Sequence, residues 1–386
     1  MIRSWPLIVL FILIQDIICF GQVKIRLFAS WSPGSVSFTV TDGSYELNTF
    51  NGDPVILEKG ALILISKSGS RIVVKSLNAR GYICDSVLLK STTIHDKFSV
   101  RINGQDPVRQ HYSGDLKCIP DLGTLVMINI CDPETYIAGV VRAEGGEKKN
   151  IEYFKSQAVI ARTYLYRNIN KHITDGYNLC DNTHCQAYNG ITSDSLIIFA
   201  ALETSGMVIL GPDSTLINSA FHSNCGGETA ASEDVWLTDH SYLKSVRDQY
   251  CVASRNAAWQ KVLSKEDWIN FLVNSGYKGN KEDPVLLNFS QQKRMKDLSV
   301  RSFSVPLRLV RDELNLRSSF FSVTVQGDSV VLNGRGYGHG VGLCQEGAMV
   351  MASKGFDFKK IINYYYTGVR IADIKDAVVK ETITSK

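Results

Sequence analysis

The chain has 386 residues, with 42 Lys plus Arg against 38 Asp plus Glu, for a formal net charge of +4. So small and scattered a charge excludes the basic stripe of a nucleic-acid-binding surface, while a weakly charged polymer stays admissible as substrate. The length exceeds what one compact core ordinarily fills, so one large or two closely joined domains are expected.

In chain order, Arg3 precedes an apolar run from Leu7 to Ile14, which Gln15 and Asp16 interrupt. Cys19-Phe20-Gly21 then puts small residues at both ends of a cleavage triplet. Residues 1–21 therefore read as a secretory signal removed before Gln22. The run falls well short of the roughly 20 apolar residues a membrane crossing needs, and no later stretch reaches that length. An exported chain without a transmembrane segment after signal removal is expected. Eight cysteines then remain: Cys84, Cys118, Cys131, Cys180, Cys185, Cys225, Cys251 and Cys344. An even number in an oxidising compartment permits disulfides, but spacing does not settle their pairing.

Residues 22–130 are strand-like. Val23–Phe28 and Ala61–Ile65 are separated by turn clusters such as Thr41-Asp42-Gly43-Ser44. At Asp132-Pro133-Glu134 the character changes. An Asp cap, a Pro at the first helical position and an early acid predict a helix that runs through Tyr136, Val140 and Val141 and stops near Gly145-Gly146. A second helix is expected from about Ile151 to Lys171, with Phe154, Ala158, Ala161 and Leu165 at helical spacing. Short strands and irregular loops should fill Asn178 to Tyr250. A helical piece is expected around Glu266 to Asn274, within a surface excursion near 254–300. Strands return at Phe320–Thr324 and Ser329–Leu332, and helices near Gln345–Lys354 and Phe358–Tyr365 close the chain. This order makes the fold class α+β: a β-rich part over 22–130, then a helix-led part over 131–386.

Four groups of residues carry candidate chemistry. Glu144 ends the first predicted helix beside two glycines, where partial burial would raise its pKa and let it hold a proton for donation. Cys180, His184 and Cys185, with His172 eight residues before the first cysteine, supply the donors of a tetrahedral structural zinc site. A Cys180–Cys185 disulfide or free thiols would account for the same spacing. The run Gly334–Gly342 projects Tyr337 and His339 from a backbone suited to close approach, and lacks the Lys-Ser/Thr pair of a phosphate loop. Finally, Cys225 in His222–Thr229 could be a thiol nucleophile with His222 or His240, or a disulfide partner of Cys251.

These segments resemble the SpoIID/LytB family over about Ile25 to Ile374. The resemblance rests on Tyr136–Glu144, on Glu152–Tyr164, on Asn182-Thr183-His184-Cys185-Gln186-Ala187-Tyr188, on Cys225-Gly226-Gly227-Glu228-Thr229, and on Gly334–Ala348. It implies a peptidoglycan lytic transglycosylase acting on glycan strands stripped of stem peptides, in the periplasm or at the cell-wall face of the membrane. Glu144 stands at the position of the family's acid–base residue. The bond cut would be that between N-acetylmuramic acid and N-acetylglucosamine, leaving 1,6-anhydro ends. One carboxylate suffices, because the sugar's own 6-hydroxyl attacks, whereas ordinary glycoside hydrolysis uses two. Glu147 and Glu152 are secondary candidates as helpers. The resemblance also favours structural zinc on Cys180, His184 and Cys185, with His172 as fourth ligand. By position, Gln157, Arg162, Tyr188, Tyr337 and His339 are expected to line a glycan groove.

The chain departs from the family pattern in places. Gly145 stands where Met is usual and loosens the placement of Glu144, a Trp a few residues on is missing, and Cys225 and Cys344 stand where Ser is frequent. The same family implies an alternative, a non-catalytic wall-binding enhancer of an N-acetylmuramoyl-L-alanine amidase, which makes such an amidase a candidate partner.

Overall fold

The computed structural model describes residues 21–378, apart from 51–52, 77–80, 105–109, 147–148 and 237. The expected signal segment, Gly21 excepted, and the candidate helper Glu147 lie outside the described residues. No helix among the described residues is long and apolar enough to cross a membrane.

The fold is α+β. Its first part is two sheets built almost entirely from residues before Asp132. One has seven strands in the spatial order Leu179–Cys180, Val23–Leu27, Thr124–Cys131, Asp115–Asp121, Val87–Ser91, Ser44–Asn48 and Val55–Glu58. The other has six: Gln110–Ser113, Lys97–Ile102, Ser35–Asp42, Leu62–Ser68, Arg71–Ser76 and Tyr82–Cys84. Alternation sets their inner faces, since successive side chains of a strand point to opposite sides. Val23, Ile25 and Leu27 are buried while Lys24 is exposed. The sheets meet through aromatic rings, with Tyr45 of the first sheet 5.6 Å from Phe98 of the second in an edge-to-face pair.

Helices follow the sheets: α1 (Pro133–Gly145), α2 (Ile151–Arg167), α3 (Ser195–Glu203), α4 (Ser232–Val235), α5 (Lys265–Asn274), α6 (Pro284–Leu287), α7 (Leu307–Glu313), α8 (Gln345–Ser353) and α9 (Phe358–Tyr365). At the start of α1 the Asp132 carboxylate accepts from Thr135 N at 2.9 Å, and Pro133 takes the first helical place. The helix ends where Gly146 adopts a positive φ of 75°. α2 is shorter than its apolar spacing predicts. Asn168 closes it, with its side-chain amide bonding Tyr164 O at 2.8 Å, and His172 falls in a turn outside the helix. α3 was expected as loop. Its sequence is apolar on nearly every side, so no helical stripe marks it, and Asp194 capping Leu196 N at 3.0 Å is its one local signal.

Residues 258–335, expected in part as a surface excursion, carry a second hydrophobic cluster of their own. Strands Ala258–Ser264, Ser329–Arg335 and Phe321–Gln326 form a three-stranded sheet in that order, flanked by α5, α6 and α7. Trp268, Leu272, Leu298, Val310 and Leu332 are buried within it. The charged and Gly-containing stretch around Gly276 to Pro284 lies over that core, and it is what makes the region read as surface.

Candidate functional site

Glu144 sits in the last turn of α1, where three segments converge. The first is α2, packed on α1, which brings Gln157 to the site. The second is the segment after Cys185. Tyr188 plugs against α1, its ring 4.9 Å from that of Tyr136. Gly139 permits this approach, since a Cβ there would come within 2.5 Å of both the Tyr188 ring and the Gly190 carbonyl. With Tyr188 so seated, Ala187 N donates to Glu144 Oε1 at 2.8 Å. The third is the start of α8, where Gln345 Nε2 donates to the Glu144 carbonyl at 3.0 Å and reaches Gln157 Oε1 at 3.5 Å.

Burial pushes the Glu144 carboxyl above the usual glutamate range, and the Ala187 N–H opposes this only in part. The side chain is nonetheless half-exposed, and its second oxygen has no hydrogen-bond partner among the described residues. Beside it, Gln157 is 2% exposed and its Nε2 has no partner among the described residues. A buried amide N–H left without an acceptor is costly, so a donor placed this way is suited to receiving a ligand oxygen. Gly145, expected to loosen the site, is buried, and the Tyr153 hydroxyl donates to its carbonyl at 3.4 Å. Tyr153 occupies the space a side chain at 145 would take, with its hydroxyl 3.3 Å from an added Cβ.

Two of the remaining expected groove residues, Arg162 and Tyr188, are buried inside the fold. Arg162 is 0% exposed and pairs with Glu134 through Nε at 2.9 Å, while Nη1 and Nη2 donate to the Met207 and Ala201 carbonyls at 3.1 and 3.0 Å. It fastens α2 to α1 and α3 and cannot line a groove, because its whole guanidinium is consumed inside the fold. Tyr188 is likewise 0% exposed and acts by packing. Tyr337 is 46% exposed beside Arg317, and His339 lies against Trp236 and His222 with ring centroids 5.1 and 5.6 Å away. Among the described residues, neither has a hydrogen bond or ring contact with Glu144. Burial pulls the His339 pKa down to about 4. Glu152 is committed to Lys155 Nζ at 2.8 Å and to Phe358 N at 2.9 Å. A cavity of about 580 Å³ lined in part by Glu134, Ala138 and Arg142 does not include Glu144 among its lining residues.

His172, Cys180, His184 and Cys185 come together, with one ligand atom from each lying within 4.8 Å of the others. Cys180 Sγ is 3.2 Å from Cys185 Sγ and 3.5 Å from His184 Nδ1, and Cys185 Sγ is 3.5 Å from His172 Nε2. A disulfide would need about 2.05 Å. Zinc–sulfur and zinc–nitrogen bonds of about 2.3 and 2.0 Å in a tetrahedron put neighbouring donors roughly 3.3–3.8 Å apart, so the four donors fit such an ion. Asp175 Oδ2 lies 3.3 Å from His172 Nδ1, the outer contact that turns Nε2 toward the cluster. Cys225 and Cys251 are also neighbours, as free thiols with Sγ atoms 3.3 Å apart rather than as a disulfide.

Two residues at Glu144 escaped the sequence reading. Gln345 was read as a helix start and as part of the Gly334–Ala348 block but given no role, and Ala187 acts through its backbone, which no side-chain pattern reveals.

A carboxyl group at a helix end whose pKa is raised by burial, a buried amide beside it and a Cys2His2 cluster on the adjacent segment define a candidate acid–base site on an α+β scaffold. Residues 122–210 match the family described as SpoIID, Stage II sporulation protein. The chain is 29% identical over 267 residues to an uncharacterized protein of Brachyspira hyodysenteriae, covering 68% of this chain and 72% of that protein. It is 27% identical over 271 residues to the Stage II sporulation protein D of Bacillus subtilis, covering 66% of this chain and 78% of that one. It is 28% identical over 291 residues to the amidase enhancer of the same organism, covering 61% of this chain but only 40% of that protein. These likenesses make the chain similar to the SpoIID/LytB family.

Proposed function

We propose that this protein is an exported peptidoglycan lytic transglycosylase, working outside the cytoplasmic membrane on glycan strands freed of stem peptides, with Glu144 as its acid–base residue. The relatives' names support a role in the cell wall. The observation that carries the finer reading is the Glu144 carboxyl, raised in pKa by burial yet with one oxygen that has no hydrogen-bond partner among the described residues.

A proton held there is delivered to the glycosidic oxygen as the bond to C1 of N-acetylmuramic acid breaks. The resulting carboxylate then takes the proton of the sugar's 6-hydroxyl as O6 bonds to C1. No water is consumed and Glu144 ends as it began. The Gln157 Nε2 group donates to a sugar oxygen and Gln345 keeps the end of α1 in place. Zinc on His172, Cys180, His184 and Cys185 would play a structural part, since four protein ligands leave no position for substrate. That part is supported by the chain order, in which Cys185 lies two residues before Ala187, whose N–H holds Glu144.

The test is mass spectrometry of products from peptide-free glycan strands. Anhydro-ended fragments from the wild type and none from Glu144→Gln are expected. Fragments from both proteins would remove Glu144 from the role. Fragments from neither would favour a second reading, supported by the likeness to the amidase enhancer: a partner of an N-acetylmuramoyl-L-alanine amidase, read out as stimulation of that enzyme.

A further inference from the structure

A second cluster of metal-binding side chains lies apart from the Cys2His2 group. Cys225, Asp248, Cys251 and Cys344 each offer one ligand atom, and all four atoms lie within 4.8 Å of one another. Their origins are scattered along the chain: the loop after the strand Phe221–His222, a turn near Tyr250, and the residue that caps α8. All four are buried, at 0% exposure for each cysteine and 1% for Asp248.

We infer that Cys225, Asp248, Cys251 and Cys344 form a second structural zinc site. Cys225 Sγ stands 3.3 Å from Cys251 Sγ and 3.3 Å from Asp248 Oδ2. Both distances lie near the roughly 3.8 Å or slightly shorter edges that zinc–sulfur and zinc–oxygen bonds give a tetrahedron. All four ligand atoms lie within 4.8 Å of one another, too close for the ligands of an iron–sulfur cluster, which must enclose several irons and sulfides. Three soft thiolates with one carboxylate suit zinc better than calcium or magnesium, which take oxygen ligands.

The surroundings are arranged for thiolates. Cys225 N donates to Cys344 Sγ at 3.3 Å, and Gly347 N donates to the same sulfur at 3.4 Å. The Tyr365 hydroxyl donates to Asp248 Oδ2 at 2.9 Å, and Tyr250 N to Asp248 Oδ1 at 2.8 Å, which fix the carboxylate. Three thiolates and a carboxylate carry four negative charges, of which a divalent ion neutralises two. The partly buried Arg294 guanidinium, bonded to the Cys225 carbonyl at 2.8 Å, opposes the remainder. Gly347 admits the arrangement, because a Cβ there would lie 2.2 Å from the Tyr365 hydroxyl and 2.3 Å from Asp248 Oδ2. Binding replaces three thiol protons by one ion, so the protons leave to solvent.

The site would pin the start of α8, since Cys344 immediately precedes Gln345. Glu144 is then flanked by two segments that each begin at a metal ligand: Cys185 leads to Ala187, and Cys344 leads to Gln345.

The test is zinc content by native mass spectrometry of the full chain, purified without chelator or reductant, together with a non-reducing peptide map. Two zinc ions per chain are expected, with Cys225 and Cys251 unlinked. His184→Ala should remove one ion, Cys344→Ala or Asp248→Asn the other, and the combination both. A linked Cys225–Cys251 peptide, or a single ion that disappears in His184→Ala, would overturn the assignment. The stoichiometry and the map are read on the wild type, so a variant that fails to fold does not shelter the proposal.

Discussion

The end of α1 and the glycine-rich loop each set a titratable side chain at the margin of the core, and the two are treated in opposite ways. Glu144 has one oxygen held by a single N–H and the other without a partner among the described residues, and burial raises its pKa. His339 packs against two rings, its Nδ1 accepts from Val341 N at 3.0 Å, and burial lowers its pKa to about 4. Desolvation disfavours the charged form in both cases. For a carboxyl it leaves a proton to donate, while for an imidazole it leaves a neutral ring that serves packing. The same force makes one residue a candidate acid and the other a structural wedge.

The largest expected effect separates them directly. Glu144→Gln should cut anhydro-end formation by about 10²–10⁴-fold, whereas His339→Gln should leave turnover within a few-fold. The reverse result would dissolve the distinction. Arg162→Ala belongs on the structural side: leaving Glu134 partly buried without its partner should cost about 3–5 kcal/mol in urea unfolding. Activity lost at unchanged stability would instead move Arg162 toward the site.

A smaller effect sharpens the picture of the Glu144 side. Gln157→Ala should lower turnover roughly three- to tenfold, the worth of one hydrogen bond, with little change in stability. The smallest concerns pH. The folded His339 pKa lies below its unfolded value of about 6.5. Its contribution to stability is therefore present above that value and is lost as pH falls through it toward about 4. His339→Gln should flatten that part of the curve of unfolding midpoint against pH, and an unaltered curve would show that the ring is not held neutral.

How far each feature was legible followed from how local its cause is. The α1 start at Asp132-Pro133 is a matter of three adjacent residues, and the fold reproduces it. The Cys180-to-Cys185 spacing likewise predicted neighbours, and His172 joined them once α2 ended at Arg167. α3 was missed because an all-round apolar helix shows no period. The core of residues 258–335 was missed because its apolar residues are dispersed among charged ones, and only the return of Ser329–Arg335 against Ala258–Ser264 gathers them. Arg162 and Tyr188 were read as groove residues because polarity and position suggest solvent, and nothing local reveals that Glu134 and two carbonyls await the guanidinium.

By itself, the sequence determined the α+β order, the helix that ends in Glu144, and the local part of the Cys2His2 group, because each depends on residues within a few turns of one another. Only the tertiary structure decided that Ala187 and Gln345 flank Glu144, that His339 packs against Trp236 and His222, and that Asp248 meets three distant thiols. Those outcomes depend on burial and on contacts between segments up to 201 residues apart, such as Glu144 with Gln345. Desolvation and close packing are properties of the assembled core, and no stretch of chain carries them alone.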